Sequence, residues 1–234
     1  MIRRFKRPPI LTLAVVLLTA TVSIVGLTHP PVLRLLQRHP AEAGRPWAQW
    51  HLLTSLLVHD GWAPLAFNLI GLAIVGSAVE RRIGAARWLV LYLAGGLAGE
   101  IAGLWWQPVG AGNSVACFGL VGGLFILTLL RERTVSFAAV FATEWIVIFA
   151  GLAIAGVRGA VIAGVLCCPL PPLAMRPSAD RGRARRLVVA VAVIATGVSL
   201  LLCAIHDIHG PPILAGAIVA TLFNRSTDAG STRG

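Results

Sequence analysis

Three side chains in this sequence could together carry out acyl chemistry: the Ser114 hydroxyl, the His209 imidazole and the Asn68 carboxamide. Ser114 closely follows Gly112 and opens an apolar stretch that runs to about residue 130. A serine at a helix N-terminus lies beside unpaired backbone N–H groups, which favour negative charge. Serine also commonly caps helices without any chemical role, so this stretch alone permits both interpretations.

A serine becomes a nucleophile when a base takes its proton, and a neighbouring histidine is the commonest such base. His209 precedes the last apolar stretch much as Ser114 begins its own, so the two side chains are predicted to share one depth. Gly216 follows His209 by two turns, and Gly119 and Gly123 follow Ser114. These glycines are predicted to let the two helices pack closely enough for contact.

Asn68 lies about two turns into another apolar stretch, where an amide is costly unless it faces the protein interior. Its two N–H donors are predicted to reach an oxyanion beside the Ser114 N–H. Two carboxylates at membrane depth, Glu100 and Glu144, have no partner that the sequence identifies. Asp207 is interpreted as a turn residue whose side chain points away from the nearby histidine.

The composition places these residues in a membrane protein. Of the 234 residues, 57% are hydrophobic and only 12% are charged, and the mean hydropathy is +0.82. Breaks in the pattern leave about eight apolar stretches, at residues 10–28, 62–79, 88–106, 114–130, 135–156, 159–175, 187–204 and 210–223. The sequence therefore predicts an all-α, polytopic transmembrane helix bundle in one domain over 1–224, followed by a short cytoplasmic tail at 225–234.

The net charge of +11 reflects orientation in the membrane rather than a nucleic-acid ligand. With a cytoplasmic N-terminus, 16 of the 20 Lys and Arg residues fall on the cytoplasmic side, as the positive-inside rule requires. The first stretch lacks a small-x-small cleavage site, so we expect it to be a retained helix. The sequence thus predicts a multi-pass protein of the plasma membrane, with Ser114 and all six histidines on the outer side and no nucleic-acid partner.

Five segments resemble, in order, motifs of the rhomboid family of intramembrane serine proteases. They are residues 50–54 (WHLLT) for W-R-x-x-T, His59 and Asn68 for H-x-x-x-x-H-x-x-x-N, residues 80–84 (ERRIG) for E-x-R-x-G, residues 112–114 (GNS) for G-x-S-G, and His209 with Gly216 for the catalytic histidine and its helix-packing glycine. No single motif is specific, but the ordered set is.

The resemblance implies a rhomboid-like six-helix core, here with one extra hairpin, and a Ser–His dyad without a catalytic acid. Carried over by position, Ser114 is the nucleophile, His209 is the general base, and Asn68 with the Ser114 N–H binds the oxyanion. The supporting positions are His59, Gly112 and Gly216. The implied partners are transmembrane protein substrates, cleaved near the outer face of the lipid bilayer, with neither a cofactor nor a metal.

Three positions depart from the family pattern. Pro64 stands where the second histidine, another oxyanion donor, would lie, and Val115 replaces the glycine after the nucleophile. His51 replaces the arginine of the first loop. Loss of one oxyanion donor typically lowers the rate by about 10²–10³-fold, and Val115 is expected to crowd Ser114. Reduced activity is therefore expected, and a rhomboid-like protein that binds membrane-protein clients without cleaving them is the alternative.

The long segment between Ser114 and His209 leaves the last helix pair open to two assignments. Two hairpins, at residues 135–175 and 187–223, would keep His209 on the correct side. If the first hairpin were the family pair, Val157 or Arg158 would take the place of the histidine. We prefer His209 because residues 213–216 follow it in the right phase. A transporter using His206, His209 and the glutamates is a third hypothesis, although His-x-x-His is a weak metal signal.

Overall fold

The computed structural model describes residues 8–39, 49–131, 135–168 and 181–231. Some basic residues used for the orientation prediction, those before residue 8 and at positions 45, 133, 176 and 233, lie outside this part of the chain. The regular elements within it are helices, and residues 38 and 110 form an isolated β-bridge. The prediction of an all-α fold is therefore confirmed for the described residues.

Nine helices follow one another along these residues. They are α1 (Ile10–Thr28), α2 (Pro30–Leu36), α3 (His51–Thr54), α4 (Trp62–Ile83), α5 (Ala85–Trp106), α6 (Ser114–Arg131), α7 (Phe137–Cys167), α8 (Arg181–Ala204) and α9 (Gly210–Ser231). Among them, α1, α4, α5, α7 and α8 are long and apolar enough to cross a membrane, whereas α6 and α9 have shorter apolar parts. Helix α9 continues beyond its predicted end at 223, so the predicted tail begins inside a helix.

Helix α6 lies at the centre of the bundle, packed against both α5 and α9, which also pack against each other. A Cβ built on Gly216 of α9 would overlap the carbonyl oxygen of Gly119 in α6. A Cβ on Gly95 of α5 would likewise overlap the Gly119 Cα. Three helix backbones thus meet at one level, which only small residues permit, and the predicted contact between Gly119 and Gly216 is confirmed.

The prediction that Gly123 also faces α9 is wrong. A Cβ on Gly123 would lie 2.7 Å from Leu91 Cδ1 of α5. Gly122 faces α9 instead, because a Cβ there would overlap the carbonyl oxygen of Ile213. Residues 122 and 123, three and four positions after Gly119, both lie near the helix face that carries Gly119. The angle at which α9 crosses α6 decides which of the two α9 contacts.

The chain reverses direction within α7, at Ala155 and Gly156, where the backbone dihedrals leave the helical range. The two arms then pack antiparallel, since a Cβ on Gly151 would overlap the carbonyl oxygen of Gly159. The first arm packs near α4 and α6 through its aromatic residues. The predicted reversal near residue 157 is confirmed, and the remainder of the predicted helix, from 169 to 175, lies outside the described residues.

Helix α9, rather than the second arm of α7, packs against α5 and α6. Val157 is 74% exposed at the reversal, and Arg158 is exposed as well. The alternative that placed one of these residues in the position of the histidine is therefore wrong. The six-helix core comprises α1, α4, α5, α6, the first arm of α7, and α9, and the second arm of α7 with α8 is the added pair.

Glu80, at the end of α4, holds the beginning of α1. The backbone N–H groups of Leu11 and Thr12 donate to its carboxylate over 3.0 and 2.7 Å, and the Thr12 hydroxyl donates over 2.7 Å. A carboxylate is favourable at a helix N-terminus, where the backbone N–H groups have no partners within the helix. This contact anchors α1 at one end of the bundle, and Ser23, nearer its other end, contacts the site described next.

Candidate active site

Ser114 and His209 are in hydrogen-bond contact. His209 Nε2 lies 2.8 Å from Ser114 Oγ, and each residue is 8% exposed. The contact arises because α6 starts at Ser114 and α9 starts immediately after His209, while Gly119 and Gly216 bring the two helices together below. The structure thus brings together the two residues that the sequence analysis predicted to be the nucleophile and the base.

Asp207 lies against the other nitrogen of the same ring. Its Oδ1 is 2.6 Å from His209 Nδ1 and also accepts the His209 backbone N–H over 2.9 Å. The interpretation that Asp207 points away from His209 is therefore wrong. An aspartate commonly accepts the backbone N–H two residues later, and this turn brings its carboxylate beside the side chain of that residue.

The turn that presents Asp207 is fixed by the end of α8. The Asp207 N–H donates to the Leu202 carbonyl over 2.8 Å, and the His206 N–H donates to the Cys203 carbonyl over 3.1 Å. His206 has a φ of 58°, the left-handed conformation that commonly ends a helix in this pattern. Only a short connection then remains before α9, so Asp207 has little freedom to move away.

The two contacts of His209 determine which nitrogen carries its proton. A carboxylate accepts hydrogen bonds, so Nδ1–H donates to Asp207, and Nε2 is left to accept the Ser114 hydroxyl proton. Burial raises the pKa of the Asp207 carboxyl, but the hydrogen bonds and charge of His209, aided by the Gln107 side chain, outweigh it and hold that pKa below its ordinary value. Asp207 is therefore ionised at neutral pH.

Two aromatic rings hold the imidazole in place. Phe118, one turn below Ser114, has its ring centroid 5.0 Å from that of His209, and Phe149 of α7 lies at 4.4 Å. Both rings are tilted against the imidazole, which limits its rotation. Elements on three sides thus fix the orientation of His209.

Asn68 and His59 form a second polar group in the same region. The Asn68 carboxamide donates through Nδ2 to His59 Nε2 over 3.0 Å, and His59 Nδ1 lies 2.9 Å from the Ser23 hydroxyl. That hydroxyl donates to the Leu57 carbonyl over 3.1 Å, so His59 Nδ1–H is the donor to Ser23. One of the two Asn68 N–H groups is therefore used to hold His59, and its second N–H remains as a donor.

His59 stays neutral in this arrangement. Burial lowers the pKa of His59 to about 4, against the opposing effects of the Asp60 charge and the Asn113 side chain. His59 is fully buried. A neutral ring with its proton on Nδ1 matches the hydrogen bonds described above, so His59 positions Asn68 rather than adding a charge.

Gly112 borders the space between this group and Ser114. Its φ is +136°, a conformation that side chains other than glycine rarely adopt, and its N–H donates to the Ser55 carbonyl over 2.9 Å. A Cβ there would lie 3.6 Å from His59 Cδ2 and 3.7 Å from Ser114 Oγ. The missing side chain leaves room next to the serine hydroxyl for an acyl oxygen.

The departures from the family pattern have different structural consequences. Pro64 is exposed in the first turn of α4, where proline is tolerated, and it brings no donor. Val115 is buried, and its side chain packs against Gly99 of α5. A Cβ built on Gly99 would lie 2.5 Å from Val115 Cγ1. The expectation that Val115 crowds Ser114 is therefore wrong. His51 donates through Nε2 to the Leu35 carbonyl over 2.9 Å and so holds the end of α2.

Arg38 connects the first loop to the segment that leads into Ser114. Its guanidinium contacts the Glu100 carboxylate and donates to the Gln107 carbonyl over 2.6 Å, and its backbone pairs with Gly110 over 2.9 and 3.1 Å. Arg38 is only 2% exposed. Glu100 therefore has a partner that the sequence did not identify, while Glu144 is half-buried on α7.

These features define a helical membrane protein with a buried Ser–His contact at the start of two closely packed helices. The Rhomboid domain matches residues 46–166, just over half of the chain. The chain therefore belongs to the rhomboid family and is an integral, multi-pass membrane protein. The matched range contains Asn68 and Ser114 but ends before His209, whose assignment rests on the geometry above.

Named relatives share parts of this sequence. Rhomboid protease GluP of Bacillus subtilis is 36% identical over 169 residues, which cover 68% of this chain and 32% of GluP. Putative rhomboid protease YdcA of the same organism is 35% identical over 89 residues, covering 37% of this chain and 45% of YdcA. Rhomboid-like protease 3 of Toxoplasma gondii is 26% identical over 119 residues, covering 49% and 45%. The chain thus matches less than half the length of each.

Proposed function

We propose that this protein is an intramembrane serine endopeptidase in which Ser114 is the nucleophile and His209 is the general base. The observation that carries the proposal is the 2.8 Å contact between His209 Nε2 and Ser114 Oγ, with Nδ1 already occupied by Asp207. That arrangement leaves Nε2 as the only ring atom able to take the serine proton. The protease names of the relatives support the same activity.

The reaction would proceed through an acyl-enzyme. Ser114 Oγ attacks the scissile carbonyl carbon while its proton moves to His209 Nε2, and the carbonyl electron pair moves to the oxygen. The Ser114 N–H and the second N–H of Asn68 donate to that oxyanion in the space beside Gly112. His209 then gives its proton to the departing amine as the C–N bond breaks, and a water molecule hydrolyses the ester.

The substrates we propose are transmembrane proteins, cleaved near the outer face of the plasma membrane. The site lies at the end of the bundle opposite the contact between α1 and Glu80. The distribution of basic residues favours a cytoplasmic location for the end that carries the Glu80 contact, so the site would lie on the outer side. A substrate helix would therefore enter from the bilayer and present its outer end to Ser114.

Cleavage of a transmembrane reporter in proteoliposomes tests this function. The purified protein is expected to cleave reporters with a flexible, helix-breaking segment near the outer interface, and Ser114→Ala is expected to lower the initial rate at least about 10³-fold. The product ends, read by mass spectrometry, should lie near that interface. Equal cleavage by the wild type and Ser114→Ala would overturn the proposal.

Asn68→Ala is expected to lower kcat by about 10²-fold, because it removes one donor to the oxyanion. The KM is expected to change little, since the donor acts on charge that develops only in the transition state. Ser77→Ala, at the opposite end of α4, is the matched control and should keep the wild-type kcat. Wild-type kcat in Asn68→Ala at an unchanged melting temperature would remove Asn68 from the oxyanion site.

A rhomboid-like protein that binds membrane-protein clients without cleaving them is the second candidate. Pro64 favours it, because the position of a further oxyanion donor holds a side chain that cannot donate. Absence of both cleavage and labelling of Ser114 would support this candidate. The transporter hypothesis is weaker, since both ring nitrogens of His209 already have partners and His206 is exposed against Trp106.

A further inference from the structure

We propose that Asp207 is a positioning residue that completes a Ser–His–Asp triad in this protein. Its carboxylate holds the proton of His209 on Nδ1 and balances the positive ring that forms when Ser114 gives up its proton. This inference rests on the proposed function, because it assigns Asp207 a role in the same reaction. It departs from the dyad without a catalytic acid that the family resemblance implies.

The geometry supplies an unbroken line of hydrogen bonds. Asp207 Oδ1 lies 2.6 Å from His209 Nδ1, and Nε2 on the opposite side of the ring lies 2.8 Å from Ser114 Oγ. The side chains of His209 and Asp207 are 10% and 13% exposed, so water competes little for this contact. A hydrogen bond to an ionised carboxylate is shorter and stronger than one between neutral groups.

Asp207 is the anion best placed to stabilise a charged His209. Glu100 of α5 is the other carboxylate whose charge acts on the ring, and Arg38 lies directly against Glu100. That positive guanidinium opposes the field that Glu100 would exert on the imidazole. Among the described residues of α6 and α7, those in hydrogen-bond or ring contact with the imidazole are Ser114, Phe118 and Phe149, and none of these side chains carries a charge.

During the reaction Asp207 does not accept the proton itself. The Ser114 proton moves to Nε2, Nδ1–H stays on the ring as the donor to Asp207, and the carboxylate remains ionised until Nε2 protonates the leaving amine. The role is therefore electrostatic and orientational. It requires no group beyond those already in contact.

A purely structural role for Asp207 makes a different prediction. Oδ1 also accepts the His209 backbone N–H, and the Asp207 carbonyl accepts the Gly210 N–H over 3.2 Å, so the residue fixes the turn that leads into α9. Asparagine forms the same turn through its side-chain oxygen and keeps the same shape. Asp207→Asn therefore retains the turn while removing the charge.

The deciding experiment compares the wild type with Asp207→Asn and Asp207→Ala in the proteoliposome assay. We expect Asp207→Asn to lower kcat and the rate of Ser114 labelling by a fluorophosphonate by up to about 10⁴-fold, with KM within about twofold and the melting temperature unchanged. Asp207→Ala should lose at least as much rate and also melt lower. Wild-type kcat and labelling in Asp207→Asn would overturn the triad.

Failure of the proposed function can be told apart from failure of this inference. If the wild type neither cleaves nor labels, the endopeptidase assignment fails first. The ¹⁵N spectrum of the imidazole then decides the role of Asp207 without any turnover, with His209→Ala used to assign the signal. A proton fixed on Nδ1 in the wild type but distributed over both nitrogens in Asp207→Ala supports the positioning role, and identical tautomers in the two proteins overturn it.

Discussion

His209→Ala is expected to abolish cleavage of the transmembrane reporter, with kcat reduced at least about 10³-fold. In the described part of the chain, the imidazole contacts the Ser114 hydroxyl through a nitrogen that can accept its proton. Alanine leaves the serine without a base, and a serine hydroxyl is a weak nucleophile on its own. The measurement is the initial cleavage rate together with the rate of fluorophosphonate labelling.

His206→Asn is the matched control for that experiment. His206 lies three residues earlier in the same turn, is exposed, and contacts the edge of Trp106 rather than Ser114. Asparagine tolerates its left-handed backbone conformation. The control should therefore cleave at the wild-type rate. A parallel loss in both variants would point to damage of the turn, and retained cleavage in His209→Ala would contradict the assignment of the base.

Gly216→Val is expected to have the second large effect, through the packing of α9 on α6. Any Cβ at position 216 overlaps the carbonyl oxygen of Gly119, and a β-branched side chain adds two further carbons at that contact. The helices must separate, which carries His209 away from Ser114. A displacement of about 1 Å can lower a rate about 10²-fold, so a loss of at least that size is expected, together with a lower melting temperature.

Gly197→Val on α8 offers a matched control, because nothing lies within 4 Å of a Cβ at that position. Both substitutions place the same side chain in an apolar helix, so their intrinsic helix propensities change equally. Gly197→Val should keep the wild-type rate and melting temperature. If Gly216→Val matched its control in both, the close approach of α6 and α9 would not be what holds the two residues together.

The helical fold and its approximate spans could be predicted from the sequence because apolar length is a strong signal in a membrane protein. The closest part of the packing was also predictable, since Gly119 and Gly216 both lie on small-residue faces. Which other glycines take part in the same helix contact was less predictable. Gly122 and Gly123 differ by one position on α6, and only the angle at which α9 crosses selects between them.

The Ser114 and His209 pairing was accessible from the order of the motifs and from the side on which each helix starts. Asp207 was misjudged because its direction depends on the end of α8, where His206 takes a left-handed conformation that the sequence does not announce. A usable signal was present, since an aspartate side chain commonly accepts the backbone N–H two residues later in a turn. That turn would have placed the carboxylate beside His209.

The contact between Arg38 and Glu100 could not be derived from spacing. The two residues are far apart in sequence, and the bridge between Arg38 and Gly110 that holds Arg38 beside α5 has no signal in the sequence. One general signal did exist, because a carboxylate at membrane depth requires a partner and Arg38 was one of few basic residues predicted outside. Val115 was misjudged for a related reason, as its pocket is formed by Gly99 on another helix.

The central claim is that Ser114 is a nucleophile activated by His209, and covalent labelling tests it most directly. The purified protein is treated with a fluorophosphonate, digested, and mapped by mass spectrometry, with His209→Ala and Ser114→Ala treated in parallel. We expect one phosphonylated residue, Ser114, in the wild type and none in either variant. Phosphonylation of Ser114 at the wild-type rate in His209→Ala, or modification of a different serine, would contradict the account.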